Sequence, residues 1–179
     1  MMNTPRVVRL RTVTAVFLLL LVAGTARGEW RELDWLELMP EEDLRLLESL
    51  PEIEHEGDGP VELPDEIMTG RVVPEMDGTG ARIAGFVVPL KTVGPEQRIV
   101  EFFLVPYYGA CIHVPPPPPN QIIHVKYKPG FTLEALYEPV WVQGTLKTES
   151  VENDIASASY TLVSEKVEPY EEENVDGPL

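Results

Sequence analysis

Between Trp30 and Leu50 the large apolar residues Trp30, Leu33, Trp35, Leu36, Leu38, Leu44, Leu46, Leu47 and Leu50 alternate with acids at near-helical spacing. Pro40 followed by Glu41, Glu42 and Asp43 puts a first-turn proline and negative charge where a helix N-terminus favours both. The pattern predicts a helix from about Pro40 to Leu50. From Pro51 to Asp65 three prolines and two glycines interrupt any period, which reads as a linker or surface loop, with His55 a solvated residue inside it. Beyond Gly70 the period shortens to that of strands. Arg71–Val73, Ile83–Leu90, Ile99–Val105, Gln121–Tyr127, Pro139–Lys147 and Ala158–Val167 are six β-prone runs, with turns at Asp77-Gly78 and Gly94-Pro95 and one helical turn at Thr132–Tyr137.

Strands spaced this closely leave no room for crossover helices, so the sheet must be antiparallel and must close or pack on itself to bury its apolar faces and edges. The expected fold is mainly β: a small antiparallel barrel of the oligonucleotide/oligosaccharide-binding (OB) kind with an N-terminal helical extension, an open sandwich being the alternative. The expected divisions are a leader over residues 1–28, helix and linker over 29–65, the barrel over 66–168 and an acidic tail over 169–179.

The leader rests on three features: arginines at 6, 9 and 11, an apolar run of about eleven residues from Val13 to Ala23, and small residues at Gly24, Thr25, Ala26 and Gly28. This is the layout of a secretory signal peptide cleaved after Ala26 or Gly28, and the run is shorter than the ~18 residues that span a bilayer. The mature protein is then periplasmic, with no membrane span. No cysteine lies near the cleavage site to take a lipid.

Charge narrows the partners. The chain carries 14 basic and 30 acidic residues, a net charge of −16. Without the leader's four arginines, 10 basic residues face the same 30 acids. A body this acidic repels phosphate backbones, which argues against nucleic acid. The tail Glu168–Leu179, with Glu171, Glu172 and Glu173, reads as solvated.

Residues 106–121, PYYGACIHVPPPPPNQ, have a composition no ordinary loop needs. The run Pro115, Pro116, Pro117, Pro118, Pro119 cannot donate to a sheet and forms a polyproline stretch roughly 15 Å long at ~3.1 Å per residue. Asn120 and Gln121 read as turn residues that satisfy backbone groups. Tyr107, Tyr108 and Trp141 are candidates to cover the prolines. If the extended geometry reaches back to Cys111, the sole cysteine, then Cys111 and His113 share one face and supply half of a zinc or copper site, with His124 on the next strand a third donor. Three readings stay open: a buried structural cysteine, a metal ligand, and a Cys/His nucleophile. Catalysis ranks last because an oxyanion pocket and the familiar nucleophile, metalloprotease and phosphate-loop motifs are missing from the sequence.

The segment ACIHVPPPPPNQ at Ala110–Gln121, with GFVVPL before it and PVWVQGTL after it, resembles the exported bacterial domain-of-unknown-function family 3299. The resemblance covers about Gly70 to Tyr170, and Trp30–Leu38 is similar to that family's Trp-rich N-terminal segment. It implies an exported protein that accompanies ATP-driven transport systems, some linked to zinc supply. It marks Cys111 and His113 as site residues, with Pro115–Pro119, Asn120 and Gln121 as scaffold; His124 enters on chemistry alone. The functional expectation is a periplasmic, non-enzymatic binding or accessory protein, zinc-linked and associated with an ABC-type transport system. The alternative is an interaction barrel that docks its polyproline loop on a protein partner, with Cys111 as packing.

Overall fold

The computed structural model describes residues 30–50, 63–110 and 116–171. The expected leader, His55 with most of its linker, and the end of the acidic tail lie outside them. Helix α1 (Glu41–Ser49) matches the predicted helix and has three acids in its first turn. It is preceded by a two-residue strand β1 (Arg31–Glu32) and a 3-10 turn Trp35–Leu38, where Asp34 caps Leu36 N and Glu37 reaches back to the Asp34 N–H. This reciprocal cap satisfies donors that the turn itself leaves unpaired. A single-turn helix α2 (Asp65–Met68) follows the linker.

Seven further strands complete the fold among the described residues: β2 (Gly80–Val93), β3 (Arg98–Val105), β4 (Ile123–Phe131), β5 (Val140–Lys147), the short β6 (Val151–Glu152) and β7 (Ser157–Ala158), then β8 (Tyr160–Pro169). Five of them close a barrel in the order β2-β3-β4-β8-β5, with β5 returning to β2. Strand β2 is long enough to serve both ends of this circuit: residues 80–85 pair with β5, and residues 86–93 pair with β3. Counting barrel strands only, the third and the last are neighbours, which is the Greek-key arrangement of an OB-type barrel.

Within the barrel the expected antiparallel pairing needs one correction, because β4 and β8 run parallel; outside it, β1 also lies parallel to β2. Five strands cannot alternate direction around a closed ring, so one neighbouring pair must share a direction. Two smaller expectations also change. Arg71–Val73 is not a strand, because side chains take its backbone groups: Asn120 Nδ2 donates to Arg71 O at 2.9 Å, and Val73 N donates to the Tyr160 hydroxyl at 2.7 Å. Thr132–Tyr137 makes no helix; the single bond from Glu138 N to Ala135 O closes one turn before Pro139 begins the approach to β5.

Alternation sorts the side chains. Along β5, Val140, Val142 and Leu146 are buried while Trp141, Gln143 and Thr145 between them are half-buried on the outside. The barrel interior gathers Ala81, Ile83, Phe102, Leu104, Ile123, Val125 and Leu162, and Leu33 and Leu38 from the N-terminal segment join it. Tyr160 stitches this cover on, since its buried hydroxyl also donates to Leu38 O at 2.9 Å.

Candidate functional site

A second, smaller core lies on the outer face of β2, β3 and β4. It contains Val88, Phe103, Val105, Ala110, Ile122 and Ala158, with Phe86, Leu90 and Ala156 packed against it. Phe103 points out because Phe102 and Leu104 point in. In OB-type barrels the face of the second and third strands is a binding surface. Here the chain covers that face itself, with Ala110 and Ile122 at the ends of the proline loop and Ala158 from β7.

The C-terminal half of the loop is fastened tightly. Pro117, Pro118, Asn120 and Gln121 are buried, and a 3-10 turn over Pro119–Gln121 leads into β4. The prolines cannot donate, but their carbonyls are used: Pro118 O accepts from Gln121 N, and Pro119 O accepts from Ser159 N, both at 2.7 Å. Gln121 Nε2 donates to Trp35 O at 2.9 Å, so the loop end holds both the N-terminal segment and, through Asn120, the Arg71 strand-like stretch. Gly70 makes the approach feasible. Its φ of +67° suits glycine, and a Cβ there would lie 2.5 Å from Pro119 Cβ. Gly70 and Ser159 meet Pro119, while Trp141 carries Arg82 over its ring and Tyr108 meets Phe86 and Tyr137.

Of the three predicted donors, Cys111, His113 and His124, the first two lie outside the described residues, as does Pro115. His124 is in β4, 2 % exposed, with its ring edge-on to Phe103 at 5.9 Å. It therefore belongs to the same outer face as Ala110, the residue bonded to Cys111. Its Nε2 lies 2.7 Å from Glu101 Oε1 of β3. A carboxylate only accepts, so Nε2 carries a proton and donates it. Nδ1 is buried and has no hydrogen-bond partner among the described residues. In the neutral imidazole that leaves Nδ1 with a free lone pair, the state in which histidine binds metals, and a carboxylate on the other ring nitrogen is the usual support of such a ligand. Among the described residues no three His, Cys, Asp or Glu side chains come together as a metal set, so any such set must draw on residues outside them.

Sequence reasoning missed Glu101. Its signal was available only through strand register, which brings β3 and β4 together as Phe103 opposite His124 and Glu101 opposite Lys126.

Comparison with known proteins bears on the family and the fold. The model of a family described as a protein of unknown function (DUF3299) matches residues 35–169. The crystal structure of a DUF3299 family protein from Pseudomonas aeruginosa is similar, with 38% identity and a TM-score of 0.63, over 82% of this chain and 99% of that one. No curated protein matches.

Proposed function

We propose, for a chain that belongs to the DUF3299 family, an exported, non-enzymatic accessory barrel that holds a zinc ion with Cys111, His113 and His124. The observation that carries this reading is His124: buried, oriented by Glu101 through Nε2, and with no partner for Nδ1 among the described residues, on the outer face where Ala110 and Ile122 also lie. Imidazole nitrogen and thiolate sulfur suit zinc. The described ends of the loop support this reading, because Ala110 on one side and Pro117, Pro118, Asn120 and Gln121 on the other are buried. The N-terminal Arg-rich and apolar sequence supports export to the periplasm, and the family resemblance supports work beside an ATP-driven envelope transport system. Docking of the polyproline run on a protein partner finds less support: Pro117 and Pro118 are buried, and Pro116 is the exposed proline among those described.

The test is a competition titration of zinc against a chromophoric chelator with reduced, metal-free protein, repeated with Cys111→Ser, His113→Ala and His124→Ala. Sub-micromolar binding weakened at least tenfold in each variant is expected. Absence of binding tighter than the chelator's limit, or affinity unchanged by Cys111→Ser, removes the zinc reading.

A further inference from the structure

The cations of this acidic chain are unevenly neutralised. Ten basic residues follow the expected leader, and six of them, Arg31, Arg45, Arg71, Arg82, Lys147 and Lys166, each hold a carboxylate. The other four, Lys91, Arg98, Lys126 and Lys128, have no ion pair among the described residues, and all four lie on β2, β3 and β4. Strand register sets Lys91 opposite Glu101 and Glu101 opposite Lys126, and Lys128 follows two residues along β4 on the same face. Glu101 is thus the carboxylate placed to neutralise both of its neighbours, yet its Oε1 is engaged by His124 Nε2 at 2.7 Å. Arg98 donates to the carbonyls of Pro129 and Gly130, which leaves its charge unmatched. Glu165, two residues beyond Val163 on β8, forms no ion pair either among the described residues.

The three lysines are exposed, and apolar side chains flank them. Register continues the row onto β8, where Val163 is opposite Lys126 and 47 % exposed; Val93, opposite Arg98, is 43 % exposed. Free ammonium groups beside exposed valines fit a ligand that carries several negative charges and aliphatic groups together. Inorganic phosphate would use the lysines and leave the valines in water. A nucleic acid or an anionic membrane is an extended surface, against which the rest of a chain of net charge −16 would be repelled. An acidic segment of another protein meets both demands. Its spacing also fits: Lys126 and Lys128 are ~7 Å apart along β4, the repeat of every second residue in an extended peptide, and Lys91 lies two strand spacings, ~10 Å, across the sheet from Lys126.

We propose that the outer face at Lys91, Lys126 and Lys128 docks an extended acidic segment of a partner protein, its carboxylates on the lysines and its aliphatic side chains against the exposed valines. The surface adjoins His124 and Glu101 but does not rest on the zinc reading, because no metal takes part in these contacts.

The experiment uses metal-free protein recovered from cells expressing the full-length chain. The probe is a fluorescein-labelled peptide of about nine residues, with glutamate at every second position and valine between, followed by anisotropy; inorganic phosphate and phosphatidylglycerol vesicles are the competitors. Saturable peptide binding is expected, weakened at least tenfold when Lys91→Gln, Lys126→Gln and Lys128→Gln are combined. Arg45→Gln and Lys166→Gln, which remove cations already paired elsewhere, should leave it unchanged, as should Cys111→Ser. Glu101→Gln removes the carboxylate inside the patch and should tighten peptide binding at least twofold. The replaced lysines are exposed, so the combined variant should keep its fold, which a thermal melt checks. No saturable signal with the peptide at 1 mM, affinity unchanged in the combined lysine variant, or displacement of the peptide by phosphate or by the vesicles at equal anion concentration would overturn the proposal.

Discussion

Replacing Tyr160 by Phe removes one oxygen at a point where three parts of the chain meet. The ring is fully buried in β8, and its hydroxyl accepts from Val73 N at 2.7 Å and donates to Leu38 O at 2.9 Å. Phe keeps the ring and nearly all its apolar contacts, so Tyr160→Phe isolates the two hydrogen bonds. A buried group left without its partner costs about 1–3 kcal/mol, and here both an N–H and a carbonyl are left, which gives a loss of about 2–4 kcal/mol. For a domain of this size that lowers Tm by roughly 6–12 °C. The same group has a pH signature. Burial holds the Tyr160 phenol above its ordinary value of 10.0, with the Val73 N–H pulling in the opposite direction. The unfolded chain therefore releases this proton first. Above pH 10 it binds fewer protons than the folded chain, and the wild type loses stability as pH rises from 10 toward the folded value. Tyr160→Phe lacks that loss. Urea unfolding of both proteins, followed by tryptophan fluorescence at pH 7, 9, 10.5 and 11, should show a gap that is full up to pH 9 and narrows above 10. A gap below about 0.5 kcal/mol at pH 7, the low end for one net hydrogen bond, or one that stays constant to pH 11, would refute the reasoning.

Two other substitutions address the site and the barrel. Glu101→Gln removes the carboxylate that fixes the Nε2 proton of His124, and losing such a support lowers metal affinity about 10–100-fold; chelator competition that shows unchanged zinc affinity would exclude His124 as a ligand. Gly144→Ala places a Cβ 2.3 Å from Val163 O and 2.8 Å from Leu162 Cδ2, where β5 and β8 shift register between Gln143 and Gly144. Because backbone must move, a cost of about 2–4 kcal/mol is expected, and a thermal melt matching the wild type would show that the two strands are not held this closely.

Local patterning made the elements legible because their causes are local. The acids after Pro40 and the leucines behind them determined α1, and the two-residue alternation of PVWVQGTL determined which side of β5 faces the core. An OB-like barrel followed from strand spacing alone. The site was legible in part. Cys111, His113 and the prolines stand out by composition, and His124 by its chemistry, but the state of a histidine depends on which groups lie beside its two nitrogens.

Those neighbours come from distant parts of the chain, and only the tertiary structure decided them. Glu101 reaches His124 because β3 and β4 pair in one register; a shift of a single residue would turn one of the two side chains to the opposite face. The parallel contact of β4 with β8 follows from closing a ring of five strands, a property of the whole circuit that no segment contains. Arg71–Val73 reads as a strand by propensity, yet Asn120 and Tyr160 claim its backbone groups from 49 and 87 residues away. The register that sets Glu32 opposite Arg82, Arg82 opposite Gln143 and Gln143 opposite Lys166 exists only after four strands are laid side by side. Sequence by itself determined each strand's period and inward face, since these depend on neighbours two to four residues apart. Which faces meet, and therefore where chemistry can occur, was decided by pairing across the barrel.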